Sequence, residues 1–146
     1  ITQRRVSMSD YTFQDLDSRC RINSFTDDIS VQRDLNSIRQ SITNLVLTRK
    51  NERPFSSENA GAGLSDLFFE LANDSMTARK VFIKEETKRI INKYEPRVIF
   101  KDFKITNPNN TPNSINVEIS YDVVAFDTDP NTQSNVVGGV NLTLER

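Results

Sequence analysis

Apolar positions in this chain follow one period up to its middle and another beyond it. Val31, Leu35, Ile38, Ile42 and Leu45 recur at steps of four, three, four and three, the single stripe of an amphipathic helix. Asp28 stands where that helix would take its N-cap, with its carboxylate near the positive end of the dipole. Arg49 and Lys50 fall where the helix should close, where cations favour exposed carbonyls, and Pro54 cannot continue it. A loop with Gly61 and Gly63 leads to a short second helix over residues 64–71. A third helix is predicted from Asp74 or Ser75 to Tyr94. Its inner face is less regular, with Ala78, Val81 or Phe82, Ile83, Ile90, Ile91 and Tyr94, and Thr87 interrupting it. The other face carries Lys84, Glu85, Glu86, Lys88, Arg89 and Lys93, among which Glu85 and Arg89 form an i,i+4 pair. Pro96 disfavours the helical region at Glu95 and ends the element.

From Val98 the period is two. Residues 98–105 predict a strand, and the Asn- and Pro-rich residues 107–113 a turn. Ile115, Val117, Ile119, Tyr121 and Val123 then alternate with Asn116, Glu118, Ser120 and Asp122, the pattern of a half-buried strand. Residues 127–135 predict a loop, and Val140, Leu142 and Leu144 mark a third strand near the end of the chain. The fold class expected is α+β: three helices followed by an antiparallel three-stranded sheet open to augmentation. Residues 28–146 are expected to form one domain, and residues 1–27 an extended N-terminal arm. The arm has only scattered apolar anchors, Tyr11, Phe13, Leu16, Ile22 and Phe25, so its order must come from packing on its own core or on a partner.

Composition narrows the chemistry. The 146 residues carry 19 basic and 20 acidic side chains, so no general attraction to nucleic acid or an anionic membrane is expected. Arginines in the arm are interleaved with Asp10, Asp15, Asp17, Asp27 and Asp28, which argues for a solvated or protein-bound segment. No apolar run approaches the roughly 18 residues a membrane span needs, and no signal peptide is visible. There is no histidine and one cysteine, Cys20, which removes His/Cys metal sites, Cys–His and Ser–His–Asp machinery and an internal disulfide. No cofactor is expected. Any catalysis would rest on carboxylates, and Asp66 and Glu70 lie on one helical face rather than across a cleft. No enzymatic activity is expected.

Three sites remain open to two readings. Glu95-Pro96-Arg97 joins the last helix to the first strand, and on residues alone a structural corner is the simpler account. Arg49, Lys50 and Arg53 read either as solvated cations at a helix end or as a docking patch, with Phe55 turned back into the core. Val140, Asn141, Leu142, Thr143 and Leu144 read as a sheet edge, either blunted by Asn141 and Glu145 or available for strand addition.

Taken in order, Thr48-Arg49-Lys50-x-x-Arg53-Pro54-Phe55, Gly61-x-x-Leu64-Ser65-Asp66 and Tyr94-Glu95-Pro96-Arg97 resemble the baseplate sheath-initiator family of contractile phage tails. That family is also labelled lysozyme-like and has a type VI secretion counterpart. The resemblance covers about residues 28–124. It implies a structural component of the virion tail baseplate, assembled in the host cytoplasm in multiple copies around the tail axis. Its implied partners are baseplate wedge proteins and the tail sheath protein. The Glu-Pro-Arg tripeptide, with the Arg49, Lys50 and Arg53 patch, would hold the chain in the wedge, and the terminal strand would receive sheath arms. The alternatives are a regulatory adaptor of the same fold and, at greater distance, a tail lysozyme.

Overall fold

The computed structural model describes residues 13–53, 60–66, 76–106, 114–124 and 136–145. They fall in two compact units, residues 1–40 and 41–146. In the first, β1 (Gln14–Leu16) pairs antiparallel with β4 (Val31–Arg33), and β2 (Ile22–Asn23) with β3 (Asp28–Ile29). The Asp17 N–H donates to the Ser30 carbonyl at 2.9 Å, and the Ser30 N–H to Arg21 at 2.7 Å, so the two ribbons share one backbone network. Buried Asp17 organises the turn between them. The Arg19 N–H and the Arg21 guanidinium bond its carboxylate and, in that order, hold it below the usual range.

This corrects the expected helix start at Asp28. The helix α1 runs Asp34–Leu47, and the six residues before it belong to strands and their connection. Val31 and Leu35 continue the helical spacing by coincidence: they are 39% and 40% exposed, whereas Ile38, Ile42, Leu45 and Val46 are buried. Asp34 has φ 45°, and both its backbone N–H and its carboxylate bond to Phe13, at 2.8 and 3.2 Å. Aspartate tolerates the left-handed region better than most residues, and here it closes the β1–β4 ribbon where the helix begins.

In the second unit, α1 is finished by residues far along the chain. Leu45 accepts from the Ala62 N–H at 3.2 Å and Thr48 from the Gly63 N–H at 2.9 Å, satisfying carbonyls that a helix end leaves open. All of residues 60–64 are buried. Gly61, at φ +118°, is required here, because a Cβ would fall 2.4 Å from the Thr48 carbonyl oxygen. Residues 64–66 are helical. The rest of the expected second helix, Glu70 and Phe55 lie outside the described residues, as do the loops 107–113 and 127–135.

Helix α2 (Met76–Tyr94) lies against β5 (Val98–Thr106) and buries Ile83, Thr87, Ile90 and Ile91. Thr87 therefore sits on the buried stripe rather than interrupting it, with its hydroxyl unpartnered among the described residues. Val81 and Phe82 are more than half exposed, so the inner face excludes both. Arg89 bonds Glu86, not Glu85 as its spacing suggested, through two contacts of 2.9 Å.

Strands β5, β6 (Ser114–Val123) and β7 (Val136–Glu145) form an antiparallel meander in that order. Four short strands thus precede the helices, and two full helices stand among the described residues where three were expected. The inward face of the sheet is apolar as its alternation required: Val98, Phe103, Val117, Ile119, Tyr121, Val123 and Val140 are buried. Each such side chain contributes about 1.5–3 kcal/mol on burial. Tyr121 faces Gly138 across the β6–β7 ladder, and its ring fills the space a side chain would need: a Cβ there would sit 2.3 Å from it.

Candidate functional site

The α2–β5 corner is held from both sides by backbone. The Glu95 N–H still donates to the Ile91 carbonyl at 2.8 Å, the last bond of helical type. Pro96 has no N–H to offer, and the chain turns, with the Val98 N–H reaching the Glu95 carbonyl at 3.3 Å. Arg97 accepts from the Val124 N–H at 2.8 Å, which ties the corner to the end of β6.

Inside this frame Glu95 is only 2% exposed. Arg97 grips both carboxylate oxygens, Nε to Oε1 at 2.5 Å and a terminal nitrogen to Oε2 at 2.7 Å. The Ser41 hydroxyl, from α1, donates to Oε2 at 2.5 Å. Burial pushes the Glu95 carboxyl up, but the hydrogen bonds from Arg97 and Ser41 outweigh it and hold it below the usual range. The pair is thus an ionised carboxylate in a fork-shaped clamp, with Pro96 exposed beside it and Arg97 partly so. Ser41 was missed by sequence reasoning. Its only signal was position: it lies between Ile38 and Leu45 at steps of three and four, a hydroxyl on an apolar stripe.

The second candidate set follows the end of α1. Lys50 reaches Glu86 on α2 at 2.8 Å, and Arg49 reaches Asp66 at 3.1 Å. The Arg49 N–H also donates to the Glu52 carboxylate at 2.7 Å, and Asn51 takes φ 63°, so the chain turns sharply here. The bond from Arg89, against an opposing effect of burial and with help from Lys50, lowers Glu86 to about 2. Arg53 is exposed. Lys50 therefore ties the turn after α1 to α2, and Lys50, Arg49 and Arg53 are all exposed.

The third candidate is the rim of the sheet, whose two ends differ. The β5–β6 register breaks between Phe100 and Asp102, a β-bulge. Charges gather there: Lys101 pairs with Asp122 at 2.8 Å and Lys84 with Asp102 at 3.1 Å. A bulge and flanking charges are among the ways sheets protect an edge. By contrast, β7 runs in unbroken register with β6 over ten residue pairs, Ser114↔Glu145 to Val123↔Val136. Among the described residues no strand pairs with its other side. Asn141 and Thr143 are exposed, Val140 is buried, and Leu142 and Leu144 are half-buried. No helix of the described residues is long and apolar enough to cross a membrane.

An α+β domain built on a clamped helix–strand corner and a three-stranded meander has known counterparts. The family of baseplate wedge protein gp25 has a model that matches residues 32–127, and the chain belongs to that family. Its role is accordingly that of a structural baseplate component. A chain of the anti-feeding prophage baseplate, solved by cryo-electron microscopy, shares the fold with TM-score 0.63 at 23% identity, over 75% of this chain and 83% of that one. A Geobacter sulfurreducens protein given the provisional name of tail lysozyme aligns with TM-score 0.55 at 20% identity, over 74% and 86% of the two chains. No curated protein sequence matches the chain.

Proposed function

We propose that this protein is a sheath initiator: it docks on baseplate wedge proteins and offers β7 as the strand on which the first ring of tail sheath forms. The observation that carries the reading is the contrast between the guarded β5 edge and the continuous, one-sided β7. An incoming sheath arm would pair its backbone with that edge and place alternate side chains beside Leu142 and Leu144 or Asn141 and Thr143. Each backbone hydrogen bond contributes only about 0.5–1.5 kcal/mol net, so one arm binds weakly. Several copies around the tail axis engage many arms at once, and effective concentration makes the ring stable. In the wedge, Pro96 and Arg97, with Arg49, Lys50 and Arg53, form the docking face, and buried Glu95 fixes the direction of Arg97.

N–H groups along a strand alternate between its two sides, so Asn141 and Thr143 point theirs one way and Leu142 the other. Proline at these positions separates folding from templating. On one side it removes a β6–β7 bond and lowers the melting temperature. On the other it leaves the fold intact and removes the donor that an arm requires. We expect the stable member of the pair Asn141→Pro and Leu142→Pro to enter baseplates and yield tubes without sheath in electron micrographs. Normal sheaths on baseplates carrying that variant would end the templating idea.

A further inference from the structure

Phe25 is 99% exposed, although its position in the loop between β2 and β3 is fixed. The Phe25 N–H donates to the Asn23 side-chain oxygen at 3.0 Å, and the Thr26 and Asp27 N–H groups to the Asn23 carbonyl at 3.2 and 2.9 Å. Asp27 completes the turn at φ 52°. Behind it, Ile22 and Ile29 stand directly opposite each other in the ribbon and are 69% and 41% exposed. An aromatic on a rigid turn, backed by two aliphatic side chains facing water, is a preorganised anchor: little of its freedom is lost on binding. Its charge is one-sided as well. Between residues 22 and 29 the only ionised side chains are Asp27 and Asp28, and the adjacent cation, Arg21, is turned to Asp17 at 2.5 Å.

We propose that this loop is a plug whose Phe25 enters an apolar pocket, rimmed by lysine or arginine, on another baseplate protein. The loop belongs to the first unit, the β7 edge and the Glu95 corner to the second. The apolar tip sets the pocket's lining, and the two carboxylates set the sign of its rim. The proposal rests on the baseplate role, which supplies both the partner and the particle in which it is tested.

A photo-crosslinking phenylalanine derivative at position 25, incorporated into assembled baseplates, reads the neighbour directly by peptide mass spectrometry. The expected product joins position 25 to a peptide of a different baseplate protein in which apolar residues are flanked by Lys or Arg. A crosslink to a second copy, to residues 1–12 of the same chain, or to nothing overturns the plug. The same probe at position 141 reports the β7 edge separately, and absence of the chain from purified particles fails the baseplate reading instead. At limiting protein, Phe25→Ala should lower incorporation tenfold or more with an unchanged melting temperature, while Phe25→Leu keeps most of it. Asp27→Asn with Asp28→Asn should weaken incorporation and flatten its dependence on salt. A Phe25→Ala chain that incorporates like wild type would also overturn the proposal.

Discussion

The Glu95–Arg97 corner and the Arg49–Lys50 segment look alike as text: charged residues at the end of a helix, close to a proline. In the folded chain they differ in kind. Glu95 is removed from water, and every oxygen of its carboxylate is bonded. The Arg49–Asp66 pair is more than half exposed on both sides, and Lys50–Glu86 lies between the two cases. Charge pairing is therefore a poor guide to importance until burial is known. A buried pair is costly to break because one partner is left uncompensated, whereas an exposed pair exchanges one hydrated state for another.

The largest effect should come from breaking the corner. Arg97→Ala leaves Glu95 buried with Ser41 as its remaining side-chain partner among the described residues, and is expected to cost about 3–5 kcal/mol in urea unfolding. The difference should depend on pH. Glu95 titrates lower in the folded chain than its ordinary 4.5, so its stabilisation is complete above that value and is lost as pH falls through the folded one. Wild type and Arg97→Ala should accordingly converge in stability in acid. Equal losses at pH 7 and in strong acid would mean that Arg97 acts through packing rather than charge.

Next comes the backbone that carries the other set. Gly61→Ala imposes a left-handed conformation on an L residue, about 1–2 kcal/mol, and adds a collision with the Thr48 carbonyl. It should cost more than removal of any charge in the Arg49–Lys50 segment, measured in the same unfolding series. Glu86→Gln is expected to cost about 1 kcal/mol, discounted because Lys50 and Arg89 are both partly exposed. With Glu86 held at about 2, its contribution too is full above 4.5 and fades toward pH 2. The smallest effect should be Arg49→Ala, below about 0.5 kcal/mol and absent at high salt. A loss of several kcal/mol there would erase the contrast between the two regions.

Legibility in the sequence followed the range of the interactions. The strand over 114–123 was readable because alternation reports one buried face, and Pro96 was readable because its missing N–H acts locally. The start of α1 was not, since pairing of residues 31–34 with 13–16 is long-range and Val31 and Leu35 happened to extend the stripe. Ser41 meets Glu95 across 54 positions, which no spacing rule reaches. Ile22 and Phe25 read as anchors by their chemistry, yet the fold turns both outward. The β7 strand was readable from the alternation of Val140, Leu142 and Leu144, while the bulge in β5 was legible only as the step of three between Phe100 and Phe103, a break in phase that a run of apolar residues disguises.

The ring of Tyr121 over Gly138 has a consequence for error. Sliding β7 by one residue against β6 turns its apolar face to solvent. Sliding it by two keeps the face but brings Val136 or Val140 beneath the ring, where no Cβ fits. One glycine thus permits a single alignment of the strand, independent of the loop that delivers it. Every copy of the chain therefore holds β7 at the same height against β6 and presents the same residues along its outer side.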